Sequence, residues 1–150
     1  MAQTFFRLAY HGVFSTKNRA AVLTEHILPE LVKVVGGIIR DRDGALLAMN
    51  GTANHIHLLA MFHPKRAVSD MFRDVKSVST DWVHAKFPTH ASFAWQSGYG
   101  VFSVSESAIQ RVTNYIEGQT QHHQTISFED ELLALLERHG IKYDLKYVFD

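Results

Sequence analysis

Between residues 5 and 16 the chain alternates: Phe6, Leu8, Tyr10, Gly12 and Phe14 fall on one side, and Arg7, Ala9, His11 and Val13 on the other, which is the period of a strand. Over 24–40, Ile27, Leu28, Leu31, Val34, Val35 and Ile38 recur at helical spacing, and Pro29 confines the start of that helix to the stretch between Thr24 and Pro29. Two short apolar runs, 45–48 and 55–62, flank the turn-forming residues Met49, Asn50, Gly51, Thr52, Ala53 and Asn54, a pattern that predicts a hairpin. From 67 to 86, Val68, Met71, Phe72, Val75, Val78, Trp82 and Val83 repeat at intervals of three and four, with Asp70, Arg73, Asp74, Ser77 and Asp81 opposite them. This is the clearest helix in the chain.

A fourth strand is predicted over 100–104, after a loop that spans 88–99. A third helix follows from 105 to about 122 on the buried stripe Ile109, Val112 and Ile116. Ser103 and Glu106 are spaced as a capping box for it, and Ser105 is an alternative cap. A fourth helix spans 128–138 and stops at His139-Gly140. The last ten residues read as an irregular, docked tail. The resulting order β-α-β-β-α-β predicts an α+β, ferredoxin-like (RRM-like) sheet with helices on one face, extended by a C-terminal helix that carries Tyr115 and by one further helix.

Composition narrows what such a fold can be. The 150 residues suit a single domain, 1–150, with a core of ordinary size. No apolar run approaches the roughly 18 residues of a membrane span, and the N-terminus lacks a secretory pattern, so a cytoplasmic protein is expected. The absence of cysteine removes disulfides, thiolate ligands and a cysteine nucleophile, which leaves His, carboxylate or amide to hold any metal. Net charge is zero, but residues 1–100 carry 11 basic and 7 acidic side chains, whereas 101–150 carry 4 and 8. That gradient permits a basic face on the first two-thirds of the chain.

The candidate chemistry sits on the second hairpin strand and on the third helix. His55 and His57 share one face of the strand, opposite Ile56, Leu58, Ala60 and Phe62, and so point away from helices packed on the apolar side. Two imidazoles at i and i+2 can reach one cation, and burying them for structure alone leaves four ring nitrogens in need of partners. With ten histidines, roughly 0.7 His-x-His pairs are expected by chance, so the pair alone is a weak signal. On the third helix Tyr115 and Gln119 are four residues apart and project from the same side, a phenol beside a neutral amide ligand. His122 and His123 can be further ligands or cations at a helix C-terminus, and the second reading is preferred. No general base stands out; Asn50, Asn54 and Lys76 are the polar neighbours considered.

Taken together these residues resemble the single-tyrosine HUH transposases of small insertion sequences, of the IS200-like type and in particular the REP-associated tyrosine transposases. His55-Ile56-His57 matches the His-hydrophobe-His motif, and Tyr115-Ile116 with Gln119 matches the tyrosine helix. Further matches run in order along the chain: Tyr10-His11, Phe14-Ser15-Thr16-Lys17, Lys76-Ser77, Trp95-Gln96-Ser97-Gly98-Tyr99-Gly100, Phe102-Ser103-Val104-Ser105 and His122-His123. The resemblance implies a metal-dependent single-stranded DNA endonuclease and strand transferase. It implies that His55, His57 and Gln119 hold a divalent metal, Mg²⁺ or Mn²⁺, and that Tyr115 attacks the phosphate to form a 5′-phosphotyrosine bond and free a 3′-hydroxyl. Such a covalent bond conserves the energy needed to rejoin DNA. It further implies hairpin-forming single-stranded DNA as partner, a homodimer in which the tyrosine helix can cross between chains, and no membrane or small-molecule cofactor.

Two histidines favour a transition metal over magnesium, and manganese satisfies both arguments. With zero net charge, DNA binding has to rely on a local patch, for which Lys17, Arg19, Lys65, Arg66, Arg73 and Lys76 are the candidates, aided by aromatic stacking. Trp95 reads as a packing anchor in a loop that can also shape a DNA or dimer contact. The alternative is a domesticated DNA-binding or regulatory module of the same fold, which needs neither Tyr115 nor metal. A small-substrate metal hydrolase is a third reading, without a carboxylate pair or phosphate-cradling loop to support it.

Overall fold

A computed structural model of the chain describes residues 2–150. Four strands, β1 (Ala9–Ser15), β2 (Ala45–Thr52), β3 (His55–Met61) and β4 (Gly100–Val104), form one antiparallel sheet in the order β2-β3-β1-β4. This is the ferredoxin-like order that the sequence pattern implies. The crossover helices α1 (Leu28–Arg40) and α2 (Val68–Lys86) cover one face. Between them and the sheet, Phe14, Ile56, Leu58 and Ala60 pack against Leu31, Val35 and Ile39 of α1 and Met71, Phe72 and Val75 of α2. Gly12 permits this approach: a Cβ there would stand 2.5 Å from the ring of Phe72. Trp95 is the expected anchor, edge-on to Phe14 and donating its indole N–H to Ser79 Oγ at 3.0 Å.

The face that carries the two histidines is not open. Alternation also places Ala9, Val13, Leu59 and Phe102 there, and such apolar surface requires a cover. α3 (Ile109–Glu117) buries Ile116 against Ala9 and Leu59, while α5 (Phe128–Arg138) lays Phe128, Leu132, Leu135 and Leu136 over Val13 and Phe102. The irregular tail adds Tyr143, Val148 and Phe149 to that second cluster.

Local boundaries differ from expectation in three places. The predicted helix over 105–122 is divided into a 3₁₀ turn, Glu106–Ala108, then α3, then the short α4 (Gln119–His122), with the break at Gly118. No capping box forms, because Glu106 pairs with Arg7 at 2.6 Å and Ser105 Oγ contacts Ser107 Oγ. β2 runs on through Thr52, so that only Ala53 and Asn54 make the turn into β3. The pairing of Thr52 with His55 outweighs the turn-forming preferences of Asn50 and Gly51.

Candidate metal and tyrosine site

β3 delivers His55 and His57 to the sheet face beneath α3, α4 and α5, where both are fully buried. Above them lies Glu131 of α5, 2% exposed, which sequence reasoning missed. Its Oε1 stands 2.8 Å from His57 Nε2, 2.9 Å from His123 Nε2 and 3.4 Å from His55 Nε2. Its Oε2 accepts hydrogen bonds from the hydroxyl of Tyr115 and, at 3.0 Å, from the amide of Gln119. The other end of that amide, Gln119 Oε1, lies 3.0 Å from His55 Nε2. One carboxylate therefore connects the imidazoles on one side with the phenol and amide on the other.

Each imidazole is also held from behind. His55 Nδ1 is 2.9 Å from both Thr52 Oγ1 and Asn54 Oδ1, so residues of the tight turn orient the ring. His57 Nδ1 lies 2.8 Å from Nε2 of His11, a second buried histidine, on β1. His123 Nδ1 is 2.7 Å from the carbonyl of Ile126, which can only accept, so this nitrogen carries a proton. In neutral His123 the Nε2 lone pair then faces a carboxylate oxygen 2.9 Å away. Two acceptors at that distance need a positive charge between or on them. A proton on His123 meets the need, and so does a metal ion.

The donor set fits an ion. Candidate ligand atoms of His55, His57, His123 and Glu131 lie within 4.8 Å of one another. Three imidazoles and one carboxylate make a donor set that suits a transition metal, and outer partners such as Asn54 and His11 are of the kind that orient metal-bound histidines. The preferred reading of His123 as a helix-end cation is replaced here by an inward-facing position in the cluster. His122 is more exposed, with Nε2 3.3 Å from Glu131 Oε2.

Electrostatics follow from burial and from this carboxylate. Burial by itself would raise the Glu131 carboxyl, but the hydrogen bonds from His55 and His57 outweigh it and hold the group below the ordinary carboxylate range. Burial lowers His57, with Glu131 opposing, and brings His11 down to about 3, assisted by the neighbouring His57. For Tyr115, burial and then the adjacent Glu131 carboxylate push the phenol above its usual value, while Gln119 and then Arg138 act in the opposite direction. The resting phenol keeps its proton.

Residues 4–119 match the family described as transposase IS200 like. This chain belongs to that family. The transposase is 24% identical over 119 residues to the ISDra2 transposase TnpA of Deinococcus radiodurans, a match covering 76% of this chain and 85% of the relative. A solved structure from Deinococcus radiodurans R1, of a protein assigned as a transposase, superposes with a TM-score of 0.64 at 26% identity, covering 79% of this chain and 95% of the other. The structure of a REP-associated tyrosine transposase bound to a REP hairpin shares the fold, with a TM-score of 0.60 at 14% identity over 84% of this chain and 74% of that one. The family match ends at Gln119, so His123 and Glu131 lie beyond it.

The structure brings Tyr115, His55, His57 and Gln119 together within one chain, but it does not gather the six basic candidates into one patch. Arg19 pairs with Glu129 at 2.8 Å and donates to the Phe149 carbonyl. Lys65 and Arg66 both pair with Asp43, and Arg73 with Asp70 and Asp74. Lys76 lies under the other sheet face, bonded to the carbonyls of Gln96 and Gly98. Lys17 is exposed in a 3₁₀ turn. One signal could have found Glu131: it falls inside the stripe Phe128, Leu132, Leu135 and Leu136, and a carboxylate on the buried stripe of a helix requires a partner.

Proposed function

We propose that this transposase cleaves and rejoins single-stranded DNA through a 5′-phosphotyrosine bond on Tyr115, with residues 1–150 acting as one HUH domain. The observation that carries the reading is the position of the Tyr115 hydroxyl on Glu131, the carboxylate at the centre of the His55, His57 and His123 cluster. A nucleophile needs to meet the phosphate next to the group that activates it, and this arrangement provides that within a single chain.

His55, His57 and Gln119, joined by His123 and Glu131 Oε1, are the residues that would hold a divalent metal, and the imidazole content favours Mn²⁺ over Mg²⁺. Such an ion, when bound, supplies Lewis-acid polarisation of the phosphate oxygens. The remaining work falls to the side chains. Gln119 spans His55 and Glu131 and fixes the start of α4 over β3. Glu131 Oε2 orients the phenol and is placed to receive its proton as the phenolic oxygen bonds to phosphorus. The bond from phosphorus to the 3′-oxygen breaks in the same step, and that oxygen leaves as the 3′-hydroxyl after taking up a proton. Attack by a 3′-hydroxyl on the phosphotyrosine reverses the process and returns the proton to Tyr115.

The DNA is proposed to be hairpin-forming single strand, a reading supported by the fold shared with a transposase bound to a REP hairpin. A homodimer of these chains would carry two complete sites, each with its own tyrosine. The test is incubation with labelled single-stranded hairpin DNA from the region flanking the gene, with Mn²⁺ or Mg²⁺, followed by denaturing electrophoresis. A covalent adduct that disappears in Tyr115→Phe and with chelator is expected. Binding without an adduct under any of these conditions overturns the reading in favour of a DNA-binding module.

A further inference from the structure

Beside Tyr115 and His11, a cleft of about 430 Å³ opens between β4, α3 and α5. We propose that this cleft seats the single strand next to the scissile phosphate, with Arg111 and Arg138 as its phosphate contacts. The proposal rests on the strand-transfer reading above and adds the residues that hold the substrate.

Charge is the first argument. Residues 101–150 contain only four basic side chains against eight acidic ones, yet two of the four, Arg111 and Arg138, line this one cleft. Among the described residues no carboxylate lines it. Among the described residues neither arginine makes an ion pair, whereas Arg19, Lys65, Arg66 and Arg73 are all paired with carboxylates. An exposed guanidinium without a carboxylate partner keeps its fork free for a phosphate.

Helix spacing is the second. Arg111 precedes Tyr115 by four residues, and Arg138 follows Glu131 by seven, so each arginine lies on the same stripe of its helix as a member of the site. α3 and α5 therefore carry positive charge outward from the nucleophile along two walls of one groove. The cleft volume lies near the lower end of the ~300–1,000 Å³ common for ligand sites, which suits a nucleotide of an unpaired strand and not a duplex. His139 completes the wall: its exposed ring stacks on Phe102 at 4.2 Å and 22° and offers an aromatic surface to an unstacked base.

The experiment measures binding of fluorescein-labelled oligothymidylate to the full chain in chelator, alongside the covalent adduct assay with metal. Arg111→Gln/Arg138→Gln is compared with wild type and with Lys33→Gln/Arg40→Gln, which removes the same charge on α1, at the opposite face of the sheet. All four positions are exposed, and melting temperatures confirm that each variant is folded. The cleft variant is expected to bind at least about tenfold more weakly and to lose about 1.4 from the slope of log K against log salt, about 0.7 for each single-strand contact. The control variant stays within about twofold of wild type on the same ionic grounds. Wild-type affinity in the cleft variant, an equal loss in the control, or no binding by wild type at low salt overturns the proposal. A Tyr115 adduct formed equally well by the cleft variant overturns the cleft and leaves the nucleophile standing. Cleft-dependent binding with no adduct in wild type supports the cleft and removes the strand-transfer reading.

Discussion

Tyr115 donates its hydroxyl hydrogen to Glu131, sixteen residues further along the same chain and on a different helix. The relationship ties α3 to α5 across the histidine face of the sheet and sets the phenol beside the cluster. It also sets a condition on the chemistry. A carboxylate held low and a phenol pushed high keep the proton on the tyrosine, and under the proposed mechanism substrate has to change that balance.

The two members of this pair are expected to separate in a metal-binding experiment. Tyr115→Phe removes the hydroxyl but leaves Glu131 Oε1 facing the imidazoles, so Mn²⁺ affinity is retained while adduct formation is lost. Glu131→Gln removes the charge that faces three imidazoles and weakens Mn²⁺ binding by at least about 10-fold, the smaller end of what even outer-shell partners contribute. Isothermal titration with the metal alone, in the absence of DNA, distinguishes them. Equal affinity in wild type and Glu131→Gln would exclude Glu131 as a ligand.

Metal is expected to stabilise the fold, because the cluster joins β3 to the residue that ends α4 and to α5, elements far apart in the chain. At Mn²⁺ concentrations near one hundred times Kd, linkage gives about 2.7 kcal/mol. For a chain of this size that is roughly 5–10 °C in Tm. Chelator should reverse the shift, and His123→Ala should shrink it by removing one imidazole. Thermal melts monitored by circular dichroism, with and without Mn²⁺, check this directly.

Much of this arrangement is legible in the sequence, and the exceptions have physical causes. The strand alternation of His55 and His57 and the four-residue spacing of Tyr115 and Gln119 are local properties, and local periodicity places both pairs on the right surfaces. Glu131 and His123 are united with them only by packing of α5 over Val13 and Phe102, a long-range event with no local signature. The expectation of an open histidine face overlooked Ala9 and Leu59, apolar neighbours on the same side that bring α3 down. The basic candidates share only their charge, whereas Asp43, Asp70 and Asp74 engage three of them, Lys65, Arg66 and Arg73, in ion pairs.

Gly51 links the hairpin to the site. It pairs with Ile56, and a Cβ at this position would stand 2.1 Å from the carbonyl oxygen of His55 and 3.0 Å from Ile56 Cα, both backbone atoms that cannot rotate away. Gly51→Ala is therefore expected to push β2 from β3, to cost about 1–3 kcal/mol as other overpacking substitutions do, and to weaken Mn²⁺ binding by displacing His55. Gly98→Ala, where nothing lies within 4 Å, serves as the neutral control. Urea denaturation of both variants decides the point, and equal midpoints would show that the hairpin can absorb the methyl group.

Lys76 provides a pH dependence remote from the histidine cluster. Its ammonium sits beneath the sheet near the rings of Phe14 and Tyr99, donates to the carbonyls of Gln96 and Gly98, and among the described residues has no carboxylate partner; burial lowers it to about 8. In the unfolded chain a lysine titrates near about 10.4. Between these values the unfolded chain holds a proton that the folded chain has released, so stability rises with pH across the window from about 8 to about 10.4. Below it the cost of burying the charge is present in full, and above it that cost is gone. Lys76→Met should remove this rise, so the stability difference between wild type and variant should change through that window and level off on either side. Urea midpoints measured at closely spaced pH values test it, and a difference that stays constant from pH 7 to pH 11 would show that Lys76 titrates as an ordinary surface lysine.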